Sequence, residues 1–243
     1  MPNDCYNFLT ITNVTHDQWR DLSATFQVGD EDEQQGFLAT YYPEPDWKNI
    51  PNQHGEFPST PDKHGISLFP DRKQDTRWHE WRVQHWGPKW DVYDCFNDWE
   101  NEVPSAEFSV GFFTAWAPPS EECLGVISKQ FPGLLLLNAY QEDNMDFIGV
   151  TVALDGVVHD FCDSLSKYRE SFVRERFPDL DARLEDKGLN LEGDLKKFAW
   201  DTCYSKEYRH DFSDYKHASV MESLVKKVVC EAQVSSSDCF VTA

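Results

Sequence analysis

The sequence predicts an α+β fold: an antiparallel sheet with helices on one face, followed by a C-terminal helical extension. Three observations predict it. Apolar and β-forming residues alternate in several short runs. Two runs with helical spacing each follow cap-type residues. After Cys162 the spacing becomes helical and stays so.

The elements follow in chain order. Residues 5–13, CYNFLTITN, alternate and are rich in β-formers, so they read as a strand. Asn13 to Asp17 supply capping residues, and Trp19, Leu22 and Phe26 then recur at helical spacing over 16–27. Phe37–Tyr42 reads as a short strand. The stretch from Tyr42 to Gly65 is dense in Pro, Gly, Asn and His and reads as a long irregular loop, of the kind that is usually functional or mobile. Trp78, Trp81 and His85 share one helical face within 75–85. A turn at Gly87 leads into a strand near 91–97, and 108–116 alternates as another.

Pro118-Pro119-Ser120-Glu121-Glu122 is a helix start with Ser120 as the cap, and the helix runs to about Gln130. Leu134–Glu142 and Asp146–Leu154 are strands. Asp155-Gly156 is a hairpin turn into Val157–Phe161. Strand, helix, strand, strand, helix, strand over 5–142 is the order of a ferredoxin-like sandwich. The domain division expected is 1–156 for this sandwich and 157–243 for helices packed on it. The stripe Phe161, Leu165, Tyr168 and Phe172 is too small to be a core by itself.

Four segments carry a resemblance to a known family. They are MPNDCYNFLTITN (1–13), WHEWRVQHWGPKWD (78–91), FFTAWAPP (112–119) and FPGLLLLNAYQEDNMDFIGV (131–150). In this order they resemble the YubB-like, or Api-like, family of phage and plasmid proteins with a ferredoxin-like domain. Asp4, His85 and Pro88 depart from the family's usual Trp, Asn and Thr. The resemblance implies the fold and a mobile-element setting. It implies no reaction, and it does not reach 157–243.

Charge bounds the function. The chain of 243 residues carries a formal charge of −21. Residues 1–155 hold 26 acids and 9 bases, a balance of −17, so most of the imbalance lies there. Such a surface repels phosphate backbones and anionic lipid and attracts basic protein grooves. Direct nucleic-acid binding is therefore disfavoured. The expected partner is a host protein with a basic groove, and the expected location is the cytoplasm. The longest apolar run, Leu134–Leu137, is far short of the roughly 20 residues that span a bilayer. The seven cysteines form no CxxC pair, which argues against a disulfide framework or zinc site.

No phosphate-binding, dinucleotide, zinc-protease or nucleophile-elbow motif occurs, so the sequence predicts no catalytic residue, no metal and no cofactor. A Cys–His pair from Cys95 with His79 or His85 lacks an orienting third group. Glu142, Asp143 and Asp146 cluster in a turn without the ligand spacing of a calcium loop. Partner contacts are expected first at Asp30, Glu31, Asp32 and Glu33, four adjacent carboxylates, and second at Glu100, Glu102 and Glu107. Trp86, Gly87, Lys89, Trp90 and Asp91, with Trp116, Pro118 and Pro119, read as a structural motif.

Two function classes follow. The first is an acidic interaction protein that imitates a nucleic-acid backbone and inhibits a host nuclease, CRISPR effector or polymerase. The alternative is a single-stranded nucleic-acid module using aromatics on the sheet. An enzyme of unrecognised type is the remaining possibility.

Overall fold

The computed structural model describes residues 3–27, 36–62, 65–96, 106–186, 193–203 and 221–233. Six strands form one antiparallel sheet: β1 (Asp4–Thr12), β2 (Tyr93–Phe96), β3 (Glu107–Ala115), β4 (Leu135–Glu142), β5 (Phe147–Leu154) and β6 (Val157–Ser164). Their spatial order is β2-β3-β1-β4-β5-β6. The first four strands thus take the ferredoxin-like order, with β1 central, and the β5–β6 hairpin extends that sheet. The helices α1 (His16–Phe26) and α4 (Glu121–Gln130) serve as the crossovers.

Local sequence accounts for both crossovers. Thr15 caps α1 in a reciprocal pair, its hydroxyl accepting from Gln18 N–H while the Gln18 side chain accepts from Thr15 N–H. Ser120 caps α4, its hydroxyl accepting from Cys123 N–H at 3.0 Å. Trp19, Leu22 and Phe26 of α1 and Leu124 and Ile127 of α4 then bury against Leu9, Ile11, Phe108, Phe112 and Leu136 of the sheet.

The second helical layer lies on the opposite face. Ala153 belongs to the first core, whereas Ile148, of opposite parity on β5, packs with Leu165, Phe172 and Val173 of α5 (Leu165–Arg176). Leu180 and Leu184 of α6 (Leu180–Asp186) and Leu195 and Ala199 of α7 (Gly193–Cys203) complete that cluster. A further helix over 221–233 reaches β6, where Glu231 meets His159 at 2.8 Å. The helices therefore begin at Leu165, and residues 157–164 belong to the sheet.

One expectation is corrected. Phe37–Tyr42 is not a strand: Phe37–Tyr41 is a one-turn helix, α2. Its free N–H groups at Leu38 and Ala39 are satisfied by the Asp91 carboxylate at 2.9 and 2.8 Å. The capping group comes from a distant part of the chain, so a local pattern cannot show it. The expected helix over 75–85 is present as α3 (Arg77–His85).

Beneath the sheet, a polar ladder crosses three strands. Asn138 donates to Asn7 Oδ1 at 3.1 Å, and Asn7 donates to Thr114 Oγ1 at 2.8 Å. Thr114 in turn donates to Ala117 O at 2.7 Å. All three side chains are fully buried.

Candidate functional site

The two motif segments meet. Trp86 is buried in the first core, and its indole N–H donates to Tyr42 O at 2.7 Å. Ser120 N–H donates to Trp86 O, and its hydroxyl donates to His85 O. Gly87 lies where the segments are closest: a Cβ there would sit 2.6 Å from Pro118 O, and its φ is +94°. Lys89 holds its ammonium over the rings of Trp90 and Trp116, at 4.6 and 5.7 Å. Trp116 itself adopts φ +72°, a left-handed conformation that a bulky residue rarely takes. Asp91 accepts from three backbone N–H groups, those of Leu38, Ala39 and Val92, yet burial pushes its carboxyl up. The motif thus joins α3, α2 and the start of α4.

Next to it, the loop between α2 and α3 is held by one side chain. The Arg77 guanidinium donates to Trp47 O, Ile50 O and Pro51 O, and pairs with Asp75 at 2.8 Å. It also lies over the rings of Trp47 and Phe69, each at 5.2 Å. This loop and α3 enclose an open cleft of about 600 Å³. Trp47, Trp78 and Trp90 wall it, and Glu44, Asp46, Lys48, Gln74 and Arg82 line it. Trp78 and Trp90 stack at 5.3 Å between centroids.

The loop's anchor titrates. The hydrogen bond from Arg77 holds the Asp75 carboxyl below the ordinary carboxylate range. A depressed folded pKa means stability present above the unfolded value and lost as pH falls through the folded one. The expected result is that the tryptophan fluorescence of the loop changes only on acidification below the ordinary carboxylate range. The Asp75→Asn variant should lack that transition. The same transition in both proteins, or one at higher pH, would contradict the assignment.

A second surface lies on the far side of the sheet. Tyr6 and Phe8 of β1, Tyr93 and Phe96 of β2 and Phe113 of β3 point away from α1 and α4. Tyr6 and Phe96 stack at 5.6 Å, Phe96 and Phe113 lie 5.7 Å apart, and Tyr93 and Phe113 stack at 6.4 Å. Gly111 lets the Phe96 ring lie flat, because a Cβ there would come 2.2 Å from it. Phe8 is 42% exposed and Phe96 45%. Asp4 stands beside the rings and accepts from Tyr93 OH at 2.6 Å, exposed Asp94 follows Tyr93 in the chain, and Glu107 lies on the same face at the far end of β3, where it accepts from Ser109. Strands β1 to β4 contain no Lys or Arg.

Of the expected partner contacts, Glu107 lies on this aromatic face, on β3. Asp30, Glu31, Asp32, Glu33, Glu100 and Glu102 lie outside the described residues. The aromatic face was not anticipated at residue level. The alternation of Tyr6 and Phe8 was its only local signal.

The weaker chemical candidates have other duties. Burial pushes the Cys95 thiol up to about 12, away from the thiolate a nucleophile needs. His85 meets Glu122 at 2.8 Å, and the Tyr42 hydroxyl donates to the same carboxylate at 2.7 Å. Glu142 accepts from Asn144 and Met145, Asp143 pairs with Arg169, and Asp146 accepts from Ser164 and Ser166. Among the described residues, no group of three or more His, Cys, Asp or Glu could hold a metal ion, and no helix is long and apolar enough to cross a membrane.

Residues 89–176 match the model of a family described as a ferredoxin-like domain in Api92-like protein. The match opens inside the 86–91 motif and runs through β6 to the end of α5. A crystal structure of a protein api92 from Yersinia pseudotuberculosis is similar, with a TM-score of 0.36 and 12% identity, covering 66% of this chain and 98% of that one. No curated protein matches the chain.

Proposed function

We propose that the chain is an acidic interaction protein whose open sheet face takes up a Lys/Arg-bearing segment of a partner protein. One observation carries the reading. Exposed rings on β1 and β2 and a half-buried one on β3 share a face with Asp4 and Glu107, with exposed Asp94 adjoining Tyr93, on strands that hold no cation. Aromatic rings give a binding surface its energy at low entropic cost, and the carboxylates select partners by charge. A partner surface that normally holds nucleic acid fits this chemistry, and competition with that nucleic acid is the form of inhibition it would take. The chain's total charge of −21 acts in the same direction.

The rings themselves favour a second reading, stacking of single-stranded nucleic acid on the sheet. Its phosphates would face carboxylates without a counter-charge, so the protein partner is preferred.

The test uses the full chain with two labelled probes, an arginine-rich peptide and an oligothymidylate, followed by fluorescence anisotropy. The peptide should bind and weaken as salt rises. Replacing Phe8 and Phe96 together by Ala should weaken it by roughly 2 kcal/mol, about thirtyfold. Oligothymidylate binding that depends on the same two rings would replace the first reading by the second. Peptide binding indifferent to the rings would remove the face from the function.

A further inference from the structure

Building on the partner-protein reading, we propose that the segment held on the open sheet face also carries a glutamate, whose carboxylate binds the Lys89 ammonium at the end of the sheet. Lys89 is a cation without a counter-charge. Arg20, Lys48, Lys73, Arg77 and Arg82 each meet a carboxylate, at 2.5 to 3.8 Å. Lys89 has no ion pair and no hydrogen-bond acceptor among the described residues, in a chain with 43 acids. Nearby Asp91 is taken up by three backbone N–H groups, and Asp4 accepts from Tyr93 OH.

What surrounds the ammonium is aromatic. It lies over the Trp90 ring at 4.6 Å and the Trp116 ring at 5.7 Å, and neither indole N–H has an acceptor among the described residues. The side chains of this clamp therefore offer donors and no acceptor, the reverse of the carboxylate-bearing face next to it. Stacking on Trp78 at 5.3 Å holds the Trp90 ring. Trp116 is held by its backbone, at φ +72° with its N–H donating to Asn3 O at 2.9 Å. A left-handed backbone at a bulky residue is strain of the kind that collects at binding sites. The rings keep part of the water away from the ammonium, so an anion that reaches it is attracted more strongly than at an open surface.

Position and reach choose the occupant. Ala115, which precedes Trp116, pairs with Asp4, and Asp4 accepts from Tyr93, whose ring stacks on Phe113 of the open face. A segment that crosses the rings and runs past Tyr93 thus meets Lys89. A lysine or arginine at that point would face another cation, and an apolar residue would leave the ammonium unanswered. One carboxylate matches the single cation of the clamp, whereas a phosphorylated residue brings nearly twice that charge. Lys89 is half-buried, so a flexible stem reaches it best. Glutamate supplies both the carboxylate and an apolar stem to lie along the ring edges.

Fluorescence anisotropy with labelled peptides and the full chain tests this. All the peptides are arginine-rich and blocked at both ends. A pair carries glutamate, one peptide near each end to serve either chain direction, and a matching pair carries glutamine at the same positions. Glutamate lowers the positive charge of the peptide and so weakens its long-range attraction to a chain of charge −21. One glutamate peptide should nevertheless bind about fivefold more tightly than its glutamine counterpart. Lys89→Met should abolish that advantage, and Lys89→Arg, which keeps a cation over the rings, should retain it. Thermal unfolding checks that each variant is folded. Glutamine peptides that bind as tightly as the glutamate ones would overturn the proposal and leave the partner-protein reading standing. An advantage that survives Lys89→Met would overturn it as well. So would an advantage conferred by unblocking the C-terminus of a glutamine peptide and not by glutamate, which would give the clamp to a chain end. Failure of every peptide to bind would remove both readings.

Discussion

Gly87→Ala is expected to destabilise the protein by about 3 kcal/mol or more, against about 1 kcal/mol for Gly133→Ala. Both glycines have positive φ, +94° and +79°. The conformational cost of a Cβ is thus similar at the two sites. Their surroundings differ. A Cβ at Gly133 meets nothing within 4 Å, whereas one at Gly87 meets Pro118 O at 2.6 Å and Ser120 N at 3.0 Å. Those atoms are backbone, locked by the hydrogen bond from Ser120 N–H to Trp86 O at 2.7 Å. The new methyl therefore has to push the start of α4 away from the end of α3. At this chain length each kcal/mol lowers Tm by about 2–4 °C, so the difference between the variants is measurable by calorimetry. Equal losses in both would mean that the junction yields and that close approach is not what Gly87 provides.

Arg77→Ala should release the loop between α2 and α3 while leaving the sheet intact. Four acceptor groups lose the guanidinium at once: Asp75 and the carbonyls of Trp47, Ile50 and Pro51. Asp75 is buried, and removing the partner of a buried charge costs about 3–5 kcal/mol. Arg77→Lys should rescue little, because one ammonium cannot reach three carbonyls and a carboxylate in different directions. Hydrogen exchange by mass spectrometry would show the effect. Amides within 47–76 should lose protection by a factor of a hundred or more, on the order of 3 kcal/mol, while those of β1 and β4 keep theirs. Uniform loss over the chain would mean the loop is part of the cooperative core, and no loss would mean the loop is held by other contacts.

Much of the sheet was legible because its signals are local. Thr15 and Ser120 mark their helices within three residues, Asp155-Gly156 marks its hairpin, and β1 and β3 alternate openly. Failures came where the cause lies far along the chain. Phe37–Tyr41 carries apolar and β-favouring residues, yet Asp91 turns it into a helix. Loop 42–65 looked unstructured because Arg77, which orders it, comes after it. The aromatic face was hidden for a different reason. Tyr6 and Phe8 show that β1 has two apolar sides, but only the placement of α5 to α7 on the Ile148 side of β5 shows which part of that face stays open. The acidic balance was visible from composition, and Glu107 was chosen from it. Its neighbours on the open face could be known only from the register of β1 against β3.

The rings on the outer row of β1 raise a problem of alignment during folding. A strand with rings on its outer row could slide by one residue, bringing Phe8 to the place of Leu9 and Tyr6 to that of Asn7, so that the exchange of Ile11 for Thr10 is the main loss of apolar burial. The Asn138–Asn7–Thr114 ladder removes that degeneracy. After such a slide Asn7 would point to the open face, and Tyr6 would lie among the unsatisfied groups of Asn138 and Thr114. Each stranded buried group costs about 1–3 kcal/mol, so the polar row works as a key that admits one alignment. The protein can therefore carry exposed rings on its central strand and still reach a single sheet, because amides and a hydroxyl, not greasiness, tell the strand which way to face.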